Sequence, residues 1–84
     1  MEYFVYVLKS LERNYTYIGQ TTNLGERLIR HNNGREKTTK PYRPFKLIHV
    51  ELVSTREEAR NLEKYFKSGF GREIVSQIAD VAKW

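Results

Sequence analysis

The stretch YFVYVLKSLERNYTYIGQ, residues 3–20, decides the fold because it predicts two strands joined by a short polar turn. Residues 3–8 are aromatic and β-branched, which is typical of a strand, and residues 16–19 form a second such run. Strands this close in sequence favour an antiparallel hairpin. Tyr6 and Tyr17 lie near the middles of the two strands, and each phenol hydroxyl needs a partner. The question is whether these tyrosines pack the sheet or take part in chemistry.

Capping signals predict three helices in the rest of the chain. Asn23, followed three residues later by Glu26, is typical of a helix N-terminus, and Gly34 ends that helix. Ser54 with Glu57 has the spacing of a capping box and predicts a second helix that starts at the next residue. The expected helices are 23–33, 55–68 and 72–82.

A third strand is predicted at 45–53, FKLIHVELV, after a basic loop. Alternation along an unbroken strand places Ile48, Val50 and Leu52 on one face. The resulting order of elements is ββαβαα, an α+β fold.

The composition limits the chain to one small domain, residues 1–84. A chain of this length buries only about 60–65% of the surface of its unfolded form, so its core is modest. Cysteine is absent, which excludes a disulfide framework and a thiolate metal site. The longest apolar run, at 3–8, is too short to span a membrane and follows no charged leader. We therefore expect neither a membrane segment nor a secretory signal, and a location in the cytoplasm.

The net charge of +5 is concentrated in one segment. Seven of the fifteen Lys and Arg residues lie between Arg27 and Lys46, where Glu36 is the one acidic residue. A one-sided basic segment favours a polyanionic partner, most simply nucleic acid. The alternative is a solvated loop whose charge serves solubility. Both interpretations stay open on composition alone.

Two polar residues share the apolar face of the first predicted helix. At about 100° per residue, one arc of this helix carries Leu24, Arg27, Leu28 and His31. The leucines should face the sheet, which brings Arg27 and His31 to the edge of the same face. A partly buried guanidinium needs an anionic partner. The alternative is that Arg27 extends past the leucines to water.

The second predicted helix carries a carboxylate inside its apolar stripe. The stripe consists of Ala59, Leu62, Phe66 and Phe70, and Glu63 lies within its arc. A buried carboxylate is costly unless it is paired, protonated or bound to a cation. Glu63 can form a salt bridge with Arg27 or Arg56, or it can bind Mg²⁺ together with waters and phosphates. Two tyrosines, an arginine, a histidine and this glutamate, all displaced toward one interior, indicate a functional site.

Four motifs in chain order resemble the GIY-YIG nuclease domain, most closely its small stand-alone bacterial members. The first is VYV, 5–7, in which Tyr6 aligns with the signature's final tyrosine and valine stands in place of its glycine. The second is an unchanged YIG at 17–19. The third is NLGERLIRH, 23–31, which matches the family's N-L-x-x-R-L-x-x-H. The fourth is Glu63 within EARNLEKYFKSG.

The resemblance implies a three-stranded antiparallel sheet flanked by helices, and a divalent-metal-dependent hydrolysis of phosphodiester bonds. Glu63 would hold a single Mg²⁺ or Mn²⁺. Tyr17 or Tyr6 would orient or deprotonate the attacking water, and His31 is the alternative proton acceptor. Arg27 would offset the charge that grows on the phosphate. On this interpretation the tyrosines of the hairpin take part in chemistry.

The chain departs from the family pattern at two positions. Val75 stands where many members carry an Asn, and Gln20 stands where some carry a Lys directly after YIG. Neither change removes the tyrosines or Glu63. Larger members add a separate DNA-binding domain, so affinity here has to come from the domain's own surface and low sequence specificity is expected.

Two functions fit these residues. The first is an endonuclease that cuts DNA in preference to RNA, directed to flexible or branched structures. The second is a non-catalytic nucleic-acid-binding module, for which Glu63 would not matter. The carboxylate among cations favours the nuclease, because binding alone does not require it. In both cases the basic segment would contact phosphates and stack a base. The expected contact residues are Arg30, Arg35, Lys37, Lys40, Tyr42, Arg43 and Lys46.

Overall fold

The computed structural model describes residues 2–81, of which residue 81 contributes its backbone only. The strands are β1 (Tyr3–Ser10), β2 (Thr16–Thr21) and β3 (Phe45–Val53), and the helices are α1 (Leu24–Asn32), α2 (Arg56–Lys67) and α3 (Gly69–Val81). A 3₁₀ turn at Lys40–Tyr42 lies within the basic loop. The predicted α+β class and the ββαβαα order are confirmed. Among the described residues no helix has the length and apolar character needed to cross a membrane.

The sheet is antiparallel with the strand order β2-β1-β3, so β1 is the central strand. Four consecutive side chains of β1, those of Val5, Tyr6, Val7 and Leu8, have no exposed surface. A strand covered on both faces needs such a continuous apolar run. The aromatic and β-branched stretch at the start of the chain is therefore the scaffold on which the other elements assemble.

Helices cover both faces of the sheet, because alternate side chains of β1 point in opposite directions. Helix α1 packs on one face, which we call the α1 face, over Tyr6, Leu8 and Phe45. Helices α2 and α3 pack on the other, the α2–α3 face. The buried residues of the second core are Val5, Val7, Ile18, Ala59, Phe66 and Val75. The domain thus has two small cores separated by one sheet.

An extra residue in β3, Ile48, breaks the alternation of that strand. The register between β1 and β3 shifts between Val7 and Leu8, and Ile48 is left without a partner. Ile48 packs against the core of the α2–α3 face, whereas Val50 and Leu52 are 40% and 53% exposed. The prediction that these three residues share a face is wrong, because a bulge adds one residue and reverses the facing beyond it.

Helix α1 begins and ends where the sequence predicts, within one residue. The side chain of Asn23 accepts a hydrogen bond from the backbone N–H of Glu26 at 3.1 Å. The chain leaves the helix through Gly34, whose φ of 74° lies in the left-handed region that favours glycine.

Helix α2 begins one residue later than predicted, with Thr55 as its N-cap. The Thr55 hydroxyl accepts from the backbone N–H of Glu58 and donates to its carboxylate, each at 3.1 Å. The predicted pair of Ser54 and Glu57 is therefore wrong. Two overlapping pairs had the same spacing, and the extended backbone of Thr55 (φ −128°, ψ 156°) selects the second of them.

We expect Thr55→Ala to lower the free energy of unfolding by about 1 kcal/mol, because it leaves a backbone N–H at the start of α2 without its acceptor. Ser54→Ala is the matched control, and it should change stability by less than about 0.5 kcal/mol. Urea denaturation of both variants measures the difference. A larger loss for Ser54→Ala than for Thr55→Ala would place the cap at Ser54.

Helix α3 begins at Gly69, three residues before its predicted start at 72. Ser68 is extended (φ −80°, ψ 174°) and is the one residue that separates α2 from α3. Gly71 lies against the backbone carbonyl of Tyr65, where a Cβ would have no room. Phe70, predicted to belong to the stripe of α2, instead lies on α3 and is 78% exposed. The glycines allow two helices to approach each other closely here and do not delay the second one, whose predicted last residue, 82, lies outside the described residues.

Candidate active site

Tyr6, Tyr17 and His31 form a cluster of rings on the α1 face of the sheet. The hydroxyl oxygen of Tyr6 lies 2.9 Å from Nε2 of His31, and both residues are buried. The Tyr17 ring centroid is 6.2 Å from that of Tyr6 and 4.9 Å from that of His31. Tyr17 itself is half-buried. Neighbouring strands and the facing helix thus bring together three residues that the sequence marked as candidates.

A buried threonine orients the imidazole of His31. The Thr39 hydroxyl lies 2.8 Å from Nδ1 of His31 and donates to the Glu36 carbonyl oxygen at 3.4 Å. Because a hydroxyl has one hydrogen, the Thr39 oxygen accepts the Nδ1–H, which leaves Nε2 to accept the O–H of Tyr6. Tyr6, His31 and Thr39 therefore form one directed chain of hydrogen bonds. Thr39 has no exposed surface and was not among the predicted site residues.

Burial keeps both members of the Tyr6–His31 pair neutral. Burial raises the pKa of Tyr6, and the neighbouring Tyr17 adds to the rise, while the Arg27 guanidinium opposes it without reversing it. Burial also lowers the pKa of His31, against the opposing effect of the Glu36 carboxylate. Tyr6 is thus a phenol that donates to a neutral imidazole. In this conformation it does not meet the requirement for a phenolic base, which is a lowered pKa.

We expect the free energy of unfolding to fall as the pH decreases below about 6.5, partly through His31. The unfolded chain takes up a proton on this imidazole before the folded one does, since burial lowers the folded pKa. Stability is therefore present at higher pH and lost as the pH falls through the unfolded pKa. Urea denaturation between about pH 5 and 8 should show a smaller slope for His31→Gln than for the wild type. His49→Gln is the control, and equal slopes for the wild type and His31→Gln would contradict the prediction.

Gly19, the last residue of YIG, makes room for both tyrosines. It pairs with Tyr6 across β1 and β2. A Cβ at this position would lie 2.6 Å from the Tyr6 hydroxyl oxygen and 2.8 Å from Cε2 of the Tyr17 ring. The rings converge over the glycine, so the motif has a steric reason in this fold.

The carboxylate of Glu63 is held by Gln20 and Lys67. Its Oε1 accepts from the Gln20 amide at 3.1 Å, and its Oε2 lies 2.7 Å from the Lys67 ammonium. The salt-bridge partners considered from the sequence, Arg27 and Arg56, are not the observed ones. Lys67 lies one helical turn further along α2, a spacing that sequence inspection can find. The Gln20 contact joins residues 43 positions apart, which only the fold brings together.

Arg27 lies in a pocket at the end of β2, next to the residue that contacts Glu63. It is half-buried on α1, and it lines the pocket together with Gln20. Within residues 2–81 its guanidinium forms no salt bridge with a carboxylate. The charges of Arg27 and Glu63 both act on the pKa of Tyr6, in opposite directions. The arginine and the glutamate are therefore electrostatically coupled to the ring cluster.

Tyr17 also lines an open groove of about 590 Å³ between β2 and α3. Lys67, the partner of Glu63, lines the same groove. Of the two candidate tyrosines, Tyr17 is thus the one that a molecule in this groove can reach.

The basic segment is partly engaged within the protein. Arg30 forms a salt bridge of 2.8 Å with Glu36. The Tyr42 ring stacks on Tyr15, with centroids 3.8 Å apart, so one of its faces is covered. Their roles in nucleic-acid binding stay predictions. The remaining members of the predicted contact set are exposed, namely Arg35, Lys37, Lys40, Arg43 and Lys46.

The two departures from the family pattern have different structural roles. Val75 is 4% exposed and belongs to the core of the α2–α3 face, so its position serves packing. Gln20 contacts the Glu63 carboxylate directly. Sequence comparison with the family pattern pointed to Gln20, although its contact with Glu63 could not be foreseen.

Comparison with known proteins agrees with these positions. Residues 2–74 match the family described as the GIY-YIG catalytic domain. A UPF0213 protein of Listeria welshimeri is 48% identical over 67 residues, which are 79% of this chain and 73% of that protein. The UPF0213 protein YazA of Bacillus subtilis is 42% identical over 66 residues, 77% of this chain and 66% of its own. The solution NMR structure of a UPF0213 protein from Bacillus halodurans, 28% identical, superposes with a TM-score of 0.56 over 93% of this chain and 85% of that one.

The four motifs, the sheet order and the paired tyrosines thus agree with a match that covers most of the chain. The chain belongs to the GIY-YIG catalytic domain family and is therefore a member of a family of nucleases.

Proposed function

We propose that the protein is a divalent-metal-dependent endonuclease that hydrolyses phosphodiester bonds, in DNA rather than RNA, with low sequence specificity. The observation that carries this proposal is the position of Glu63. Its half-buried carboxylate is held by an amide and an ammonium, between the pocket of Arg27 and the groove of Tyr17. A binding surface for polyanions has no need of a carboxylate at that position, because it repels phosphate.

The donor set at Glu63 fits Mg²⁺ or Mn²⁺ bound through one carboxylate. Residues 2–81 contain no group of three or more His, Cys, Asp or Glu side chains that could hold a metal ion. Mg²⁺ is commonly bound by one or two carboxylates, with water and substrate phosphate as further ligands. Lys67 is 51% exposed, so its ammonium can leave Glu63 when a cation takes its place. The bound ion would polarise the phosphate and stabilise the leaving oxygen.

The other residues supply positioning and charge. Tyr17 orients the attacking water, since it is the tyrosine that faces a groove. Tyr6 and His31 are buried and bonded to each other, and they hold Tyr17 in place as positioning residues. Arg27 donates to the phosphate oxygens and offsets their growing charge.

The test is cleavage of end-labelled single-stranded, duplex, flap and junction DNA, and of RNA, with Mg²⁺ or Mn²⁺ and with chelator. We expect cutting that requires the metal ion and that is strongest on flexible or branched DNA. Equal cutting with chelator would contradict the metal requirement. Salt-sensitive binding without any cutting would identify the chain as a nucleic-acid-binding module on a nuclease fold.

A further inference from the structure

A pocket lined by three arginines lies at the end of β2. Its volume is about 340 Å³. Arg27 extends into it from α1, and Arg56 and Arg60 extend from the first turns of α2. The other lining residues are Tyr3, Gln20, Thr21 and Thr22, so the lining contains no carboxylate. The pocket therefore has a strong positive charge and neutral polar walls.

None of the three guanidinium groups is neutralised by the described part of the chain. Within residues 2–81 the salt bridges involve other cations. Arg56 lies over the ring of Tyr3, 5.9 Å from its centroid, a contact that orients the guanidinium and leaves its charge in place. Arg56 and Arg60 are one helical turn apart, a spacing at which like charges weaken a helix. Such an arrangement favours a bound anion.

The pocket is directly connected to the Glu63 carboxylate through Gln20. This side chain lines the pocket and also donates to Glu63 at 3.1 Å. On the other side of Glu63, its partner Lys67 lines the groove that contains Tyr17. The arginine pocket, Glu63 and the groove thus follow one another along the edge strand β2.

We propose that Arg56 and Arg60, together with Arg27, bind a backbone phosphate of the nucleic acid next to the phosphodiester that is cut. Guanidinium groups suit this task because they bind phosphate oxygens with paired N–H donors. The position of this phosphate relative to the cut rests on the proposed function. The presence of a phosphate site does not, since it follows from the charge of the pocket.

The first test measures binding of a fluorescently labelled single-stranded DNA oligonucleotide by anisotropy, with chelator present so that nothing is cut. The double variant Arg56→Gln/Arg60→Gln should bind about tenfold more weakly at low salt. The slope of log K against log salt should decrease by about 1.4, or about 0.7 for each lost phosphate contact. The control, Arg13→Gln/Lys64→Gln, removes the same charge at exposed positions, and its slope should change by less than about 0.3. Equal losses in both double variants would reduce the effect to net charge and overturn the proposal.

The second test replaces single phosphates of the strand by neutral methylphosphonates, one position at a time. Wild-type affinity should fall sharply at one position, and the arginine double variant should be insensitive at that position. Equal sensitivity of both proteins at every position would overturn the proposal. If the double variant does not show the circular dichroism of the wild type, Arg60→Gln alone is the test, with an expected slope change of about 0.7.

Cleavage with Mg²⁺, measured in parallel, separates this proposal from the nuclease function. Wild-type cutting with unchanged binding by the double variant would overturn the phosphate site and leave the nuclease. Absence of cutting, with binding that depends on Arg56 and Arg60, would support the phosphate site and contradict the nuclease. A wild-type protein that binds no nucleic acid would overturn both.

Discussion

We expect Glu63→Ala to reduce kcat/KM for metal-dependent cleavage by at least about 10³-fold, which is about 4 kcal/mol of transition-state stabilisation. The change removes the one carboxylate that faces both the arginine pocket and the groove, and no cluster of alternative ligands exists in residues 2–81. Binding of nucleic acid should be unchanged or tighter, because a negative charge next to phosphate is lost. Single-turnover cleavage and anisotropy, measured on the same substrate, separate the two effects.

Glu73→Ala is the matched control for charge, because Glu73 is an exposed residue of α3. Its cleavage rate should stay within about threefold of the wild type. Cleavage by Glu63→Ala at the wild-type rate, with the same dependence on Mg²⁺, would contradict the assignment of Glu63 as the metal ligand. Failure of both the wild type and the variant to cut, with binding intact, would support the binding module.

The second large effect is expected for Gly19→Ala, which should lower the free energy of unfolding by about 1–3 kcal/mol. The added methyl group would meet the Tyr6 hydroxyl oxygen at 2.6 Å and the Tyr17 ring at 2.8 Å. Tyr6 is fully buried and hydrogen-bonded to His31, so it cannot move without breaking that bond. For a domain of this size we expect the Tm to fall by about 4–8 °C for each kcal/mol.

Gly25→Ala is the control, because the nearest atom to its Cβ lies at 3.9 Å. This position is in α1, where alanine is favoured over glycine, so stability should stay unchanged or rise by up to about 1 kcal/mol. Thermal unfolding measures both variants, and near-ultraviolet circular dichroism reports the tyrosine environment. A Gly19→Ala protein as stable as the wild type, with the same tyrosine signal, would show that the rings do not converge over this glycine.

The features that sequence patterns predicted correctly depend on contacts between near neighbours in the chain. The cap of α1 joins Asn23 to a residue three positions later, and its bond is observed. The continuous apolar run of β1 identified a strand that is buried on both faces. Where local signals were ambiguous, predictions failed. Ser54 and Thr55 each had a suitable partner three residues later, and the choice between them depends on the backbone that leaves β3.

Other errors came from packing between elements. The bulge at Ile48 depends on how β3 pairs with β1, and alternation along one strand carries no sign of it. The early start of α3 depends on the close approach of Gly71 to the backbone of α2. Both features arise from contacts between elements that are absent until the elements meet.

The sequence by itself determined the α+β class, the order of elements, the family and the residue types of the site, because periodicity, caps and motifs act over a few positions. The tertiary structure decided how those residues meet. Tyr6 bonds to His31 over 25 positions, and Gln20 reaches Glu63 over 43. The union of Arg27 with Arg56 and Arg60 in one pocket likewise needs α1 and α2 to meet at the end of β2. The physical reason is that such contacts depend on the packing of distant segments, for which a local pattern holds no information.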